Sequence, residues 1–299
     1  MRVLVTGGSG FIGRNIVAGL KASGHEVVSL DLADKGSDLH VKGSVLDLEL
    51  LIKSLKGVDT VFHLAAVTSP PEFENLKGNG FMTNVMGTYN VLAASSLQGV
   101  RRVVLASSSS VYGSIGRQAR EEDMPEGYSN FYPLSKVVNE MTARAYLNYN
   151  VETVSLRYFN TYGFGENTKG SYSSVIWKFI DDIANNRRPV IYGDGTQSRD
   201  FIYVEDAAAA SILAMERGRA GESYNVGTGT STSFNRIFEI IREETGYAGS
   251  PAYVQNPLRS YQIFTQADIS KSRKELGFEP RYDIRAGVRK ILEQLKLNS

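Results

Sequence analysis

Cysteine is absent from this 299-residue chain, and histidine occurs only at His25, His40 and His63. The first absence excludes disulfides, thiolate metal sites and a cysteine nucleophile. The second leaves too few imidazoles for a histidine-rich zinc site, so no metal is expected. Neither sign of charge is in excess, because 33 Lys and Arg stand against 32 Asp and Glu for a net +1. That balance argues against the broad basic footprint of a nucleic-acid or anionic-membrane binder, and any anionic ligand has to be held locally. No apolar run approaches the roughly 20 residues of a membrane helix. Met1 runs almost directly into the strand pattern Arg2 to Thr6, with no apolar leader behind a basic start. The expectation is a soluble, cytoplasmic protein with no nucleic-acid or membrane partner.

Hydrophobic residues make up 42% and charged residues 22%, the balance of a packed globular protein. The length suggests one large or two closely joined domains. Val3, Leu4 and Val5 form a continuous apolar run, as a strand buried on both faces requires. Ile12, Ile16 and Leu20 then recur at helical spacing, with Gly24 as the stop. Further strands are expected at Glu26 to Leu30, Leu39 to Lys42, Thr60 to Ala65, Arg101 to Ala106 and Glu152 to Arg157. Between them lie helix patterns at Leu46 to Leu55, Thr83 to Ser96 and Tyr132 to Asn148. Strict alternation implies an α/β fold with a doubly wound parallel sheet. Past Arg157 glycines punctuate the chain between helices expected at Val175 to Asn185, Val204 to Glu216, Phe234 to Thr245 and Arg285 to Leu297. This part reads as a smaller α/β cap.

The strongest local signal is Thr6-Gly7-Gly8-Ser9-Gly10-Phe11-Ile12-Gly13, between the first strand and the first helix. There, bare glycine backbone can approach a pyrophosphate at a helix N-terminus; the alternative is a flexible glycine turn. Asp31 ends the second strand, where a carboxylate hydrogen-bonds the adenosine ribose and repels a 2′-phosphate, so NAD is favoured over NADP. The alternative is that Asp31 merely starts a turn.

Tyr132-Pro133-Leu134-Ser135-Lys136 contains Tyr-x-x-x-Lys, which alone carries little. It opens a helix, however, so both side chains share one face and the ammonium favours the phenolate. Such a tyrosine can act as a general base near neutral pH. The run Ser107-Ser108-Ser109-Ser110 leaves the carboxyl end of a strand, where open α/β sheets bind ligands; it is otherwise an ordinary polar loop.

These motifs, with Leu64-Ala65-Ala66, Asn84-Val-Met-Gly-Thr88, Val111-Tyr112-Gly113, Arg157-Tyr-Phe-Asn160 and Gly193-Asp-Gly-Thr-Gln-Ser-Arg-Asp-Phe-Ile-Tyr-Val204, resemble the extended short-chain dehydrogenase/reductases. Among these the chain is most similar to the UDP-glucose (UDP-galactose) 4-epimerases. The resemblance selects Ser108, three residues before Val111, as the catalytic hydroxyl, with Tyr132 as base and Lys136 as its partner. It implies NAD contacts at Gly7, Gly10, Phe11, Ile12, Gly13, Asp31, Leu32, Ser44, Val45, Leu64, Ala65, Ala66, Asn84, Ser107, Tyr132, Lys136 and Tyr158. It implies a nucleotide sugar, a UDP- or dTDP-hexose, held by Ser108, Tyr132, Asn160, Ser174, Arg199, Arg259 and Gln262.

The resemblance also implies a dinucleotide-binding domain over 1–157 plus 189–227, a nucleotide-sugar cap over 158–188 plus 228–299, and a homodimer built on the Thr83 to Ser96 and Tyr132 to Asn148 helices. Departures from the epimerase pattern are Ser44 in place of an adenine-binding Asp, Tyr261-Gln262 in place of Gly-Asp, and Ser174 and Trp177 in place of Asn and Pro. Ser109 and Ser110 replace the Asp-Glu of 4,6-dehydratases, and Ser110 the Glu of glucuronate decarboxylases. A 4-ketoreductase needs only the triad and an exchangeable dinucleotide. A non-catalytic NAD-binding regulator usually lacks the tyrosine.

Overall fold

In the computed structural model the described residues are 1–34, 39–68, 73, 79–125, 127–128, 130–257 and 262–297. Seven strands form one parallel sheet: β1 (Arg2–Thr6), β2 (Glu26–Asp31), β3 (His40–Lys42), β4 (Thr60–His63), β5 (Arg102–Ser108), β6 (Glu152–Tyr158) and β10 (Ser223–Val226). Their order is β10-β6-β5-β4-β1-β2-β3. The sheet therefore winds outward in both directions from the gap between β1 and β4, and ligands bind at the carboxyl side of such a switch point.

The period-two alternation of a strand explains the layers. Val3 and Val5 of β1 pack with Ile16 and Leu20 of α1 (Phe11–Ala22) and with Ala207, Ala210 and Ala214 of α6 (Val204–Arg217). Leu4, between them, joins the opposite layer: Leu51 of α2 (Leu48–Ser54), Val91 and Leu92 of α3 (Asn79–Leu97) and Ala143 of α4 (Phe131–Ala145). Both faces of the sheet are thus covered, as the unbroken apolar run requires.

A third core lies apart from these two layers. It packs Ile176 and Phe179 of α5 (Val175–Ala184), Ile237 and Ile241 of α7 (Phe234–Thr245) and Val288 and Ile291 of α8 (Ile284–Leu297). Two small sheets belong here: β11 (Ser231–Ser233), β9 (Ser198–Tyr203) and β7 (Asn160–Tyr162) form one, and β12 (Ala252–Val254) pairs with β8 (Val190–Tyr192) in the other. Strands β8 and β9 fall within the 189–227 stretch expected in the dinucleotide domain, yet their strand partners belong to these small sheets and not to the large one; the chain rejoins the large sheet through α6 and β10. Four of the small-sheet strands are three residues long, too short to show a period, and none was expected from the sequence.

The expected helices hold with shifted ends. The Leu46 start moves to Leu48, because Asp47 caps the helix by accepting from Leu50 N at 2.9 Å. The helix expected to run to Asn148 ends at Ala145 and tightens into a 3-10 turn over Tyr146–Tyr149.

Candidate functional site

The loop between β1 and α1 is built on glycine for steric reasons. Gly7 has φ +71°, and a Cβ there would come within 2.6 Å of Ala65 N at the end of β4. A Cβ on Gly13 would meet Gly7 O at 2.1 Å. Gly10 enters α1 in an extended conformation and offers no side-chain cap, so the first-turn N–H groups of Phe11, Ile12 and Gly13 are not satisfied by one. Those donors and the positive end of the helix dipole suit a phosphate. Asp31 closes the other side: its Oδ2 accepts from Ser9 N at 3.0 Å and its Oδ1 from Ala33 N at 3.1 Å. It both starts a turn and orders the glycine loop, while remaining partly exposed, next to exposed Leu32.

Leu64, Ala65 and Ala66 leave the end of β4, where Thr6 O accepts from Leu64 N at 3.0 Å and Thr6 Oγ1 from Ala65 N at 3.3 Å. The two loops at the switch point are thereby one unit. Ser44 turns the backbone after β3, its Oγ accepting from Leu46 N at 3.2 Å, while Val45 is buried in the core and its carbonyl accepts from Asn90. These residues present a glycine cradle, a partly exposed carboxylate at the end of β2 and apolar walls, which fits a dinucleotide.

Several expected cofactor contacts are engaged inside the protein. Buried Asn84 accepts from Val67 N at 2.9 Å and donates to Val67 O and Ser135 Oγ, pinning the loop after β4 to α4. Tyr158 lies in the core with its hydroxyl 2.7 Å from Ser211 Oγ, and burial pushes that phenol upward. Ser107 donates to Glu140 Oε1 at 2.5 Å. Each of these side chains is thus hydrogen-bonded within the protein.

Tyr132 and Lys136 are both buried on one face of α4. Asn130 caps the helix by accepting from Tyr132 N at 3.1 Å, and Pro133 tolerates the first turn because its missing N–H would have no helical partner there. Phe73 packs edge-on against Tyr132, ring centres 6.1 Å apart. Lys136 Nζ lies 6.0 Å from the Tyr132 ring centre and donates to Ala106 O at 2.9 Å. Burial pulls the Lys136 ammonium down to about 8, against the pull of the Glu140 charge upward. Ser108 ends β5 beside this helix, its Oγ accepting from Ser110 N at 3.2 Å.

A cavity of about 700 Å³ opens beside the helix start, lined by Ser110, Ile115, Asn130, Pro133, Arg199 and Gln262 among others. Arg199 is buried, donates to the Gln262 carbonyl and lies 5.8 Å over the Phe234 ring; Gln262 donates in turn to Gly113 O at 2.6 Å. Asn160 donates to Asp200 O and Thr265 Oγ1. A second cavity, about 610 Å³, lies on the Phe234 side and is lined by Trp177, Lys178, Val190 and Tyr192. The Ser174 hydroxyl caps α5 and donates to buried Glu166 at 2.7 Å. Arg259 and Tyr261 lie outside the described residues.

Two buried groups escaped the sequence reading. Glu140 pairs with Arg157 at 2.7 Å beneath the site, although Glu140 follows Lys136 at helical spacing and Arg157 opens a quoted motif. His63 bridges Thr6 and Thr88, at 2.8 and 3.0 Å, and is not a metal ligand; no metal-binding cluster exists among the described residues. Burial, and then the Lys136 charge, hold His63 down to about 3.

Residues 3–227 match the model of the NAD dependent epimerase/dehydratase family. The chain is 32% identical to a UDP-glucose 4-epimerase of Mycolicibacterium smegmatis over 98% of both chains, and 31% identical to a dTDP-glucose 4,6-dehydratase of Streptomyces niveus over 100% of this chain and 94% of that one. Its fold is similar to that of a UDP-glucose 4-epimerase of Thermotoga maritima with UDP-glucose, at a TM-score of 0.93 and 30% identity, covering 100% of this chain and 99% of that one. Among the described residues no helix is long and apolar enough to cross a membrane.

Proposed function

The chain belongs to the NAD dependent epimerase/dehydratase family, and on that premise we propose that it inverts C4 of a UDP-glucose or UDP-galactose type nucleotide sugar. The observation that carries this reading is the buried Tyr132–Lys136 face beside Ser108, followed by Ser109 and Ser110 instead of an acid–base pair. Tyr132, with the Lys136 ammonium on the same helix face, takes the proton of the sugar 4-hydroxyl; Ser108 hydrogen-bonds the same oxygen. NAD, when bound, supplies the acceptor for the C4 hydride and returns it. The chain holds the keto sugar by its diphosphate while the sugar turns over, and Tyr132 gives back the proton. Eliminating water across C5 and C6 needs a further acid and base, which two serines do not provide near neutral pH.

The glycine loop and Asp31 would hold NAD, with Lys136 on the nicotinamide ribose. Arg199 lines the first cavity and stands over Phe234, which lines the second; this suits a diphosphate with the sugar on the Ser110 side and the planar base beside Tyr192 and Trp177. The division into a dinucleotide domain (1–157 plus 189–227) and a nucleotide-sugar cap (158–188 plus 228–299) belongs to this reading, except that the pairing of β8 and β9 in the small sheets favours counting them with the cap. Exposed Met82, Met86 and Tyr89 on α3 and Phe131 and Met141 on α4 support a homodimer across these adjacent helices. The cytoplasm, where NAD and nucleotide sugars are held, is the expected compartment.

The test is incubation of purified protein with UDP- and dTDP-hexoses without added cofactor, products being read by NMR. A C4-epimeric mixture with no net NADH supports the proposal. A 4-keto-6-deoxy product makes it a dehydratase, and a stoichiometric demand for NAD(P)H makes it a ketoreductase.

A further inference from the structure

The Tyr132–Lys136 face of α4 continues one turn further to Glu140, a buried carboxylate met by four donors. Its Oε1 accepts from Ser107 Oγ at 2.5 Å and Arg157 Nε at 2.9 Å; its Oε2 accepts from Arg157 Nη2 at 2.7 Å and Ser223 Oγ at 3.2 Å. Ser107 immediately precedes Ser108, and Ala106, one residue earlier, receives the Lys136 ammonium. The end of β5 is therefore tied to α4 at two successive residues, once through Lys136 and once through Glu140. Stability alone does not account for such a pair, since well-packed apolar residues of similar volume often do as well as a buried ion pair.

We infer that Glu140 is a positioning residue for the Tyr132–Lys136 pair: it clamps the strand end that carries Ser108 to α4 and holds a negative charge one turn from the Lys136 ammonium. Burial opposes that charge, but the hydrogen bonds and charge of Arg157, with the hydroxyls of Ser107 and Ser223, keep the Glu140 carboxyl below its ordinary range. Arg157 is itself fixed by Tyr112 Oη at 3.0 Å and the Glu121 carbonyl at 2.8 Å. The groups facing Lys136 are His63 on β4, which burial keeps neutral, and Tyr132 and Glu140 on its own helix; Arg157 on β6 lies beyond Glu140. Glu140 thus favours the charged form of a lysine that burial drives toward neutrality.

The inference rests on the proposed use of Tyr132 and Lys136, but its test needs no sugar. NAD affinity is measured by calorimetry across pH for the intact protein, Lys136→Met, Ser107→Ala, Glu140→Asp and Glu140→Gln/Arg157→Gln, the last keeping the buried pair polar and neutral. The parent is expected to lose affinity above a pH of about 8, as the ammonium on the nicotinamide ribose is lost. Lys136→Met lacks this limb; the double variant shows it roughly one pH unit lower, a tenfold change in the lysine's proton affinity. Glu140→Asp and Ser107→Ala keep the parental limb, since both keep the charge. If the double variant does not fold, Glu140→Gln alone is held to the same shift. A limb that stays in place when the Glu140 charge is removed, or a parent that shows none, overturns the inference, whereas failure of the sugar panel overturns only the proposed reaction.

Discussion

Lys136 and Tyr132 share a helix face, with the lysine nitrogen 6.0 Å from the tyrosine ring centre and tied to Ala106 O at 2.9 Å. The ammonium is thereby held beside the phenol by a backbone carbonyl that has no charge of its own to neutralise it.

Tyr132→Phe removes only the hydroxyl, and the ring keeps its edge-on contact with Phe73. The expected result is an unchanged melting temperature and a turnover lower by roughly two to four orders of magnitude, the range for loss of a general base. Near-normal turnover would remove Tyr132 from that role.

Lys136 costs stability at neutral pH. Its folded value is lowered by burial to about 8 from 10.5, so below pH 8 both states are charged and the folded one carries the penalty. As pH rises from 8 to 10.5 the penalty fades. Lys136→Met is expected to be more stable than the parent at pH 7 by on the order of 3 kcal/mol, with the gap closing under alkaline conditions. Denaturant melts at a series of pH values measure this; an equally stable or weaker variant contradicts it.

His63 works in the acid range. It is neutral when folded, held down to about 3 against 6.5, so its contribution is full above pH 6.5 and is lost as pH falls toward 3. The loss is on the order of 4 kcal/mol. His63→Gln keeps polar atoms toward Thr6 and Thr88 but cannot take up a proton. Between pH 6.5 and 4 the stability of the parent should fall more steeply than that of the variant, and parallel curves would show that His63 does not govern acid unfolding.

Gly13→Ala would force a methyl to within 2.1 Å of Gly7 O, inside the turn that shapes the phosphate cradle. The expected cost is about 1–3 kcal/mol, as for overpacking, together with loss of NAD binding. Gly24→Ala is the control: Gly24 has positive φ, unlike Gly13, and a Cβ there meets nothing within 4 Å. It should lose some stability through backbone strain and leave NAD affinity intact.

The glycine loop, Asp31 and the Tyr-x-x-x-Lys face were legible because each is a local pattern whose spacing fixes its own geometry. The alternation of Val3, Leu4 and Val5 already required two covered faces. Glu140 and Arg157 were not legible: a charged residue four places after a lysine reads as a solvated helix face, and only the approach of β6 turns it into a buried pair. Ser174 and Ser107 were expected to serve ligands, but their hydroxyls were already committed to Glu166 and Glu140, partners that no short-range spacing announces.

The sequence by itself therefore determined the alternating α/β order, the glycine turn ahead of the first helix and the shared helix face of Tyr132 and Lys136, since each rests on period, sterics or helical spacing within a few residues. Tertiary structure alone decided that β8 and β9 pair in the small sheets, that Arg199 and Gln262 meet in the lining of one cavity, and that the Lys136 helix is anchored through Glu140. These depend on groups far apart in the chain, and what brings them together is the burial of the third core and the need of every buried charge for a partner.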